Sequence, residues 1–170
     1  LTGGGALDTV MIDKLIEILN KEVAVYEGVL KLAKNKTDVI IAGKVSELEG
    51  ITKLEQSSII TLSKLEEERE VLVGQLATEL NIEPSELTLK ILIKQLAKEQ
   101  SKKLKSSIDV LPKIFNDLRN VNDLNSKLIR SSLDYIDFSM NVLTSTGSTG
   151  NYGVSGQSED SKKNFFDLKL

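Results

Sequence analysis

Any acid–base or nucleophilic chemistry in this chain has to come from Ser, Thr, Tyr, Lys, Asp and Glu, because it contains neither His nor Cys. That excludes disulfides, imidazole or thiolate metal sites, His-based triads and Cys nucleophiles. A Ser–Lys dyad or a pair of carboxylates remains chemically possible. Yet no Gly-rich phosphate loop follows a strand pattern, and no nucleophile has a recognisable orienting partner. The reading is no enzyme, with no catalytic, cofactor-binding or metal-binding residues and no cofactor.

The polar residues that stand out do so by their neighbours. Arg69 lies among Leu62, Leu65, Leu72 and Leu76. Its guanidinium has to snorkel or meet a carboxylate of another helix, for which Glu22 is the candidate. Asn122 and Asn125 occupy positions where leucine would pack better. A buried Asn pair of this kind fixes register at some cost in stability. Arg69, Asn122 and Asn125 are therefore expected to form a structural polar core. The runs EEERE (Glu66 to Glu70) and KKLK (Lys102 to Lys105) read as solvated helix faces.

The elements that position these residues are helical. Apolar residues recur at Ile12, Leu15, Ile16, Leu19, Val23, Tyr26, Leu30 and Ala33, in steps of three and four. The turn formers in NKTD (Asn35 to Asp38) are expected to end this first helix, and Gly43 marks a break. A second stripe runs from Val45 through Leu72 and Leu76 to Leu80, stopping before NIEP. After Pro84 a shorter helix, LTLKILIKQLAK, takes Ser85 or Thr88 as its cap. A third long helix extends from about Lys98 to Leu143, with Pro112 inside it or marking a new start. At 1.5 Å per residue the second and third helices would be about 55 and 69 Å long. The fold class is all-α: an elongated antiparallel three-helix bundle, or long helical hairpin, with a flexible C-terminal tail.

The domain layout follows. Residues 1–10, LTGGGALDTV, lack a signal-peptide pattern and read as a leader added to the native chain. Residues 11–143 form the bundle, and residues 144–170 a Gly/Ser-rich tail ending in an apolar docking segment. The net charge of −3 gives no general attraction to nucleic acid, and no apolar run is long enough for membrane insertion. The absence of Cys fits the cytoplasm.

The third helix carries more apolar surface than one packing face needs. Leu118, Ile129, Leu133, Ile136, Met140 and Leu143 make one stripe; Val121, Leu124, Leu128, Tyr135, Phe138 and Val142 make another. Together they span roughly 220°, against the roughly 100° of a core-facing helix. Either the helix sits centrally and touches two neighbours, or one stripe packs the bundle while the other receives a partner helix. On the second reading Leu124, Leu128, Tyr135, Phe138 and Val142 bind the partner. The tail's Phe165, Phe166, Leu168 and Leu170 either join them or cap the bundle. Burying those four side chains brings about 6–12 kcal/mol gross, and ordering their backbone costs about as much.

In this order the segments resemble the FlgN-type flagellar export chaperones, over Ile12 to Leu170. The resemblance begins with LIEILNKEVAVYEGVLKLAKNK and VIIAGKVSELEGIT, and continues with LEEERE ending at Arg69 and the short helix LTLKIL. Its most specific part is LRNVNDLNSKLIRSSLDYIDFSMNVL, with Asn122 and Asn125 at the family's paired asparagines. NYGVSG, with Tyr152, Gly153 and Gly156, is similar to the family's Tyr-Gly element, and FFDLKL to its ending. Lys44, where an acidic or Asn cap is common, and Pro112 depart from the pattern.

The resemblance implies a cytoplasmic type III export chaperone without catalytic activity. It would bind hook-associated proteins of the hook–filament junction, keep their terminal helices from aggregating, and deliver them to the flagellar export apparatus. Tyr152 would contact the export gate. The resemblance leaves the oligomeric state open, with a monomer the favoured form in solution. The competing reading is a structural coiled-coil subunit or adaptor that self-associates or bridges other helical proteins.

Overall fold

A computed structural model describes residues 8–146. Five α-helices follow one another: α1 (Thr9–Ile41), α2 (Val45–Glu79), α3 (Leu89–Gln95), α4 (Lys98–Ile108) and α5 (Leu111–Thr146). A single 3-10 turn, Pro84–Glu86, lies between α2 and α3, and the described residues contain no strand. The fold is all-α, as the periodicity implies. Two units divide the chain, residues 1–132 and residues 133–170.

In the first unit α1 starts earlier and ends later than its apolar pattern suggests. The Asp8 carboxylate accepts from the Val10 N–H at 2.9 Å and caps the helix, so residues 9 and 10 are helical. The helix also continues through NKTD. Lys36 is paired with Glu55 of α2 at 2.7 Å, the Thr37 hydroxyl is engaged, and Val39 is buried. These tertiary partners hold residues of modest helix propensity in the helix. The stop comes at Gly43, whose φ of 65° is left-handed. The N–H groups of Gly43 and Lys44 donate to the carbonyls of Ile40 and Val39, which closes a Schellman motif. Asn81, at φ 56°, closes the same motif after α2, with its own N–H and that of Ile82 donating to Thr78 and Ala77. Lys44 provides no side-chain cap to α2 and pairs with Glu47 instead.

Cross-helix pairs set the direction of packing. Asp8 meets Glu79, Glu22 meets Arg69, and Lys36 meets Glu55, so α1 and α2 run antiparallel. Thr88 caps α3 through the Ile91 N–H, and extended backbone at Leu96 and Ala97 separates α3 from α4. The expected third long helix is two helices: Asp109 and Val110 interrupt it, and Pro112 sits in the first turn of α5. A proline costs little there because its missing N–H would have no intrahelical acceptor. At 36 residues, α5 is about 54 Å long.

The core lies where the start of α1, the end of α2, α3 and α4 converge. Ile12, Leu15, Leu19, Leu72, Leu76, Leu92 and Leu104 are among its buried members. α5 joins α1 farther along. The Tyr26 and Phe115 rings meet edge to face with centroids 4.9 Å apart, and Asn125 bonds to the Ala33 and Thr37 positions. Residue numbers rise together along both helices, so α5 is parallel to α1 and the three long helices of this unit run up, down, up. The described part of the second unit is the last stretch of α5, residues 133–146.

Candidate docking surface

Two polar constellations hold the first unit in register. Asn125 is 3% exposed; its Nδ2 donates to the Ala33 carbonyl at 2.9 Å, and its Oδ1 lies 2.6 Å from the Thr37 hydroxyl. The same hydroxyl is 3.3 Å from the Ala33 carbonyl, so its one proton serves the shorter bond. Asn125 thus satisfies a donor and an acceptor inside the α1–α5 seam. Asn122 does not join it. That side chain is exposed, which corrects the expectation of a buried pair. Residues three apart point about 60° apart around a helix, and the seam with a single neighbour admits only one of them.

The second constellation is Arg69, whose Nε donates to Glu22 Oε1 at 3.0 Å; Glu66 lies 3.6 Å away. Glu22 is almost buried, the carboxylate that an arginine in an apolar stripe requires. Burial first, and then the charges of Glu22 and Glu66, hold the nearby Tyr26 phenol above its ordinary range, with Arg69 opposing them.

Along α5 in the first unit the packed residues are Ile114, Leu118, Val121, Asn125 and Leu128, buried or half-buried. This line runs between the two apolar stripes and takes members of both, so neither stripe as drawn from the sequence is the bundle face. Of the residues expected to bind a partner, Leu128 is half-buried on this seam and Leu124 flanks it at 47% exposure.

The described part of the second unit presents a further exposed apolar surface. This part is one helix. Leu133, Tyr135, Ile136, Phe138 and Met140 are all exposed, Tyr135 at 71% and Phe138 at 63%. Val142 and Leu143 are exposed to 42% and 70%. Aromatic and aliphatic side chains at this spacing suit a partner helix. Tyr152, Phe165, Phe166, Leu168 and Leu170 lie outside the described residues, as do residues 1–7 of the expected leader.

Sequence reasoning missed Thr37, Lys36 and the Tyr26–Phe115 contact. The signal was present: Val39, Ile40 and Ile41 continue the apolar pattern of α1 beyond its turn formers. An open cleft of about 500 Å³ between α1 and α2 is lined by Lys14, Glu17, Ile18, Lys21, Glu68 and Val71 among others, with Lys21 and Glu17 paired at 2.7 Å on the helix surface. Among the described residues no group of His, Cys, Asp and Glu could hold a metal ion, and no helix is long and apolar enough to cross a membrane.

The family model described as FlgN protein matches residues 11–160. The chain belongs to the FlgN family. FlgN proteins are flagellar export chaperones, not a family of enzymes. This FlgN chain is also 27% identical over 158 residues to the "Uncharacterized protein YvyG" of Bacillus subtilis (strain 168), covering 91% of this chain and 96% of that protein. No solved structure matches it.

Proposed function

We propose that this FlgN-family protein acts in the cytoplasm as a type III export chaperone for hook-associated proteins. It shields their terminal helices before secretion and delivers them to the flagellar export apparatus. The observation that supports this reading is the exposed apolar surface of residues 133–143, where Tyr135 and Phe138 stand in solvent on a helix. An exposed apolar patch of this kind favours a binding role. In this reading Tyr135, Phe138 and Val142 contact the client; Leu124 is exposed in the first unit as a further candidate, whereas Leu128 is taken up by the α1 seam. Phe165, Phe166, Leu168 and Leu170 supply further contacts, and Tyr152 engages the export gate.

The test is calorimetric titration of the full chain with the C-terminal helical region of a hook-associated protein from the same organism. A 1:1 complex of micromolar or tighter affinity, with a negative heat-capacity change, is expected from apolar helix burial. No heat at two temperatures, with both partners folded, would overturn the chaperone reading and favour a self-associating structural subunit.

A further inference from the structure

The second unit's helix has an apolar surface too wide for one neighbour, and its charges sit at the two edges of that surface. At about 100° per residue, Leu133, Ile136 and Met140 form one ridge and Tyr135 and Phe138 another. The small side chain of Ser139 lies between the ridges. Both ridges are exposed. A helix packed on one neighbour uses a sector of roughly 100°, whereas this surface covers roughly twice that. One docked helix would leave the other ridge in water.

The charge pattern has the same two-sided form. Asp134 and Asp137 are the only charged residues between Leu133 and Thr146. On the helical projection Asp137 borders the Leu133–Met140 ridge, and Asp134 borders the Phe138 ridge. Among the described residues no ion pair within 4.0 Å engages either one. Within residues 133–146 each apolar ridge therefore has one aspartate on its outer side, with Arg130 one turn before Asp134, and the Ser139 line between the ridges is uncharged.

We infer that the client occupies this surface with two helices at once, one on each ridge, each placing Lys or Arg beside the adjacent aspartate. This rests on the chaperone reading above and names the form and charge of what that surface holds. Ser139 lets the two client helices approach each other along the middle of the surface. The three then form a small bundle in which this chain supplies one helix. Opposite charges at the edges set which client flank faces outward, and disfavour a client helix with acidic flanks.

The probes are the two terminal helices of one hook-associated protein, as separate peptides and joined in one polypeptide by a flexible linker. Each is titrated against the full chain and three variants: Ile136→Ser with Met140→Ser, Tyr135→Ser with Phe138→Ser, and Asp134→Lys with Asp137→Lys. These residues are exposed, so the variants keep the parent's helical circular dichroism. The joined polypeptide is expected to bind at least about tenfold tighter than either single helix. Either ridge variant should weaken it by roughly tenfold or more. The charge variant should weaken it most at low salt.

If one single helix binds as tightly as the joined pair, and only one ridge variant affects it, the two-helix inference is wrong while the chaperone reading stands. Equal binding by the parent and the Asp134→Lys, Asp137→Lys variant at low salt would overturn the basic-flank assignment. If no probe binds the parent chain, both readings fail together.

Discussion

Replacing Arg69 by Met should destabilise the protein more than its place near the surface suggests. The substitution keeps the apolar stem and removes the guanidinium, leaving the Glu22 carboxylate, 10% exposed at its side chain, without the cation 3.0 Å away. Breaking a fully buried pair from one side costs about 3–5 kcal/mol. Arg69 is itself 33% exposed, so water reaches part of the site and the figure falls to about 2–3 kcal/mol. For a chain of this length that is a drop of roughly 5–10 °C in Tm. Urea denaturation followed by helical circular dichroism reads the same loss as a lower midpoint at unchanged slope. Removing both charges, with Glu22→Leu and Arg69→Met, should recover most of the loss, since it is the stranded carboxylate that is costly. If Arg69→Met stays within about 0.5 kcal/mol of the parent, or the double variant is no better than the single, the pair does not stabilise the α1–α2 contact in this way.

Two further outcomes follow from the same unit. Asn125→Ala removes two hydrogen bonds at a buried position and should cost about 1–3 kcal/mol in urea unfolding, whereas exposed Asn122→Ala should change stability by less than about 0.5 kcal/mol; equal losses would contradict the single-asparagine lock. The Tyr26 phenol is held above its ordinary value of 10.0, so folding favours its protonated form. Its contribution is intact below about pH 10 and is lost as pH rises through the folded-state pKa. Tyr26→Phe keeps the ring against Phe115 and should flatten the alkaline fall in stability; parallel falls in parent and variant would refute the assignment.

The helices were legible because burial imposes a three-and-four period on leucine and isoleucine that few other constraints produce. The glycine turn was equally plain, since Gly43 supplies a backbone conformation that side chains resist. Arg69 and Glu22 could be matched because an arginine among leucines has few chemical options. What escaped the sequence depended on contacts with other helices. NKTD looks like a stop until Glu55 and Asn125 arrive to hold Lys36 and Thr37 in α1. Asn122 and Asn125 look equivalent on a broad apolar arc, and only the angular position of α1 separates them. Periodicity separates two stripes on α5, yet the packing line takes residues from each. That depends on where a neighbour lies, which periodicity within one helix does not encode.

The short turn at Gly43 also has a kinetic consequence. α1 and α2 close on each other across Ala42, Gly43 and Lys44, so their pairing needs almost no chain entropy beyond that of the helices. The bond from Asn125 to Ala33 spans 92 residues and forms only after that much chain is gathered in. The hairpin is accordingly expected to assemble first, with α5 adding last. The same order holds in reverse under native conditions. α5 meets α1 through a few side chains, with the Asn125 bonds and the Tyr26–Phe115 contact at two levels, so it detaches at a lower free energy than opens the hairpin. Hydrogen exchange should accordingly show the amides of residues 111–132 exchanging before those of α1 and α2.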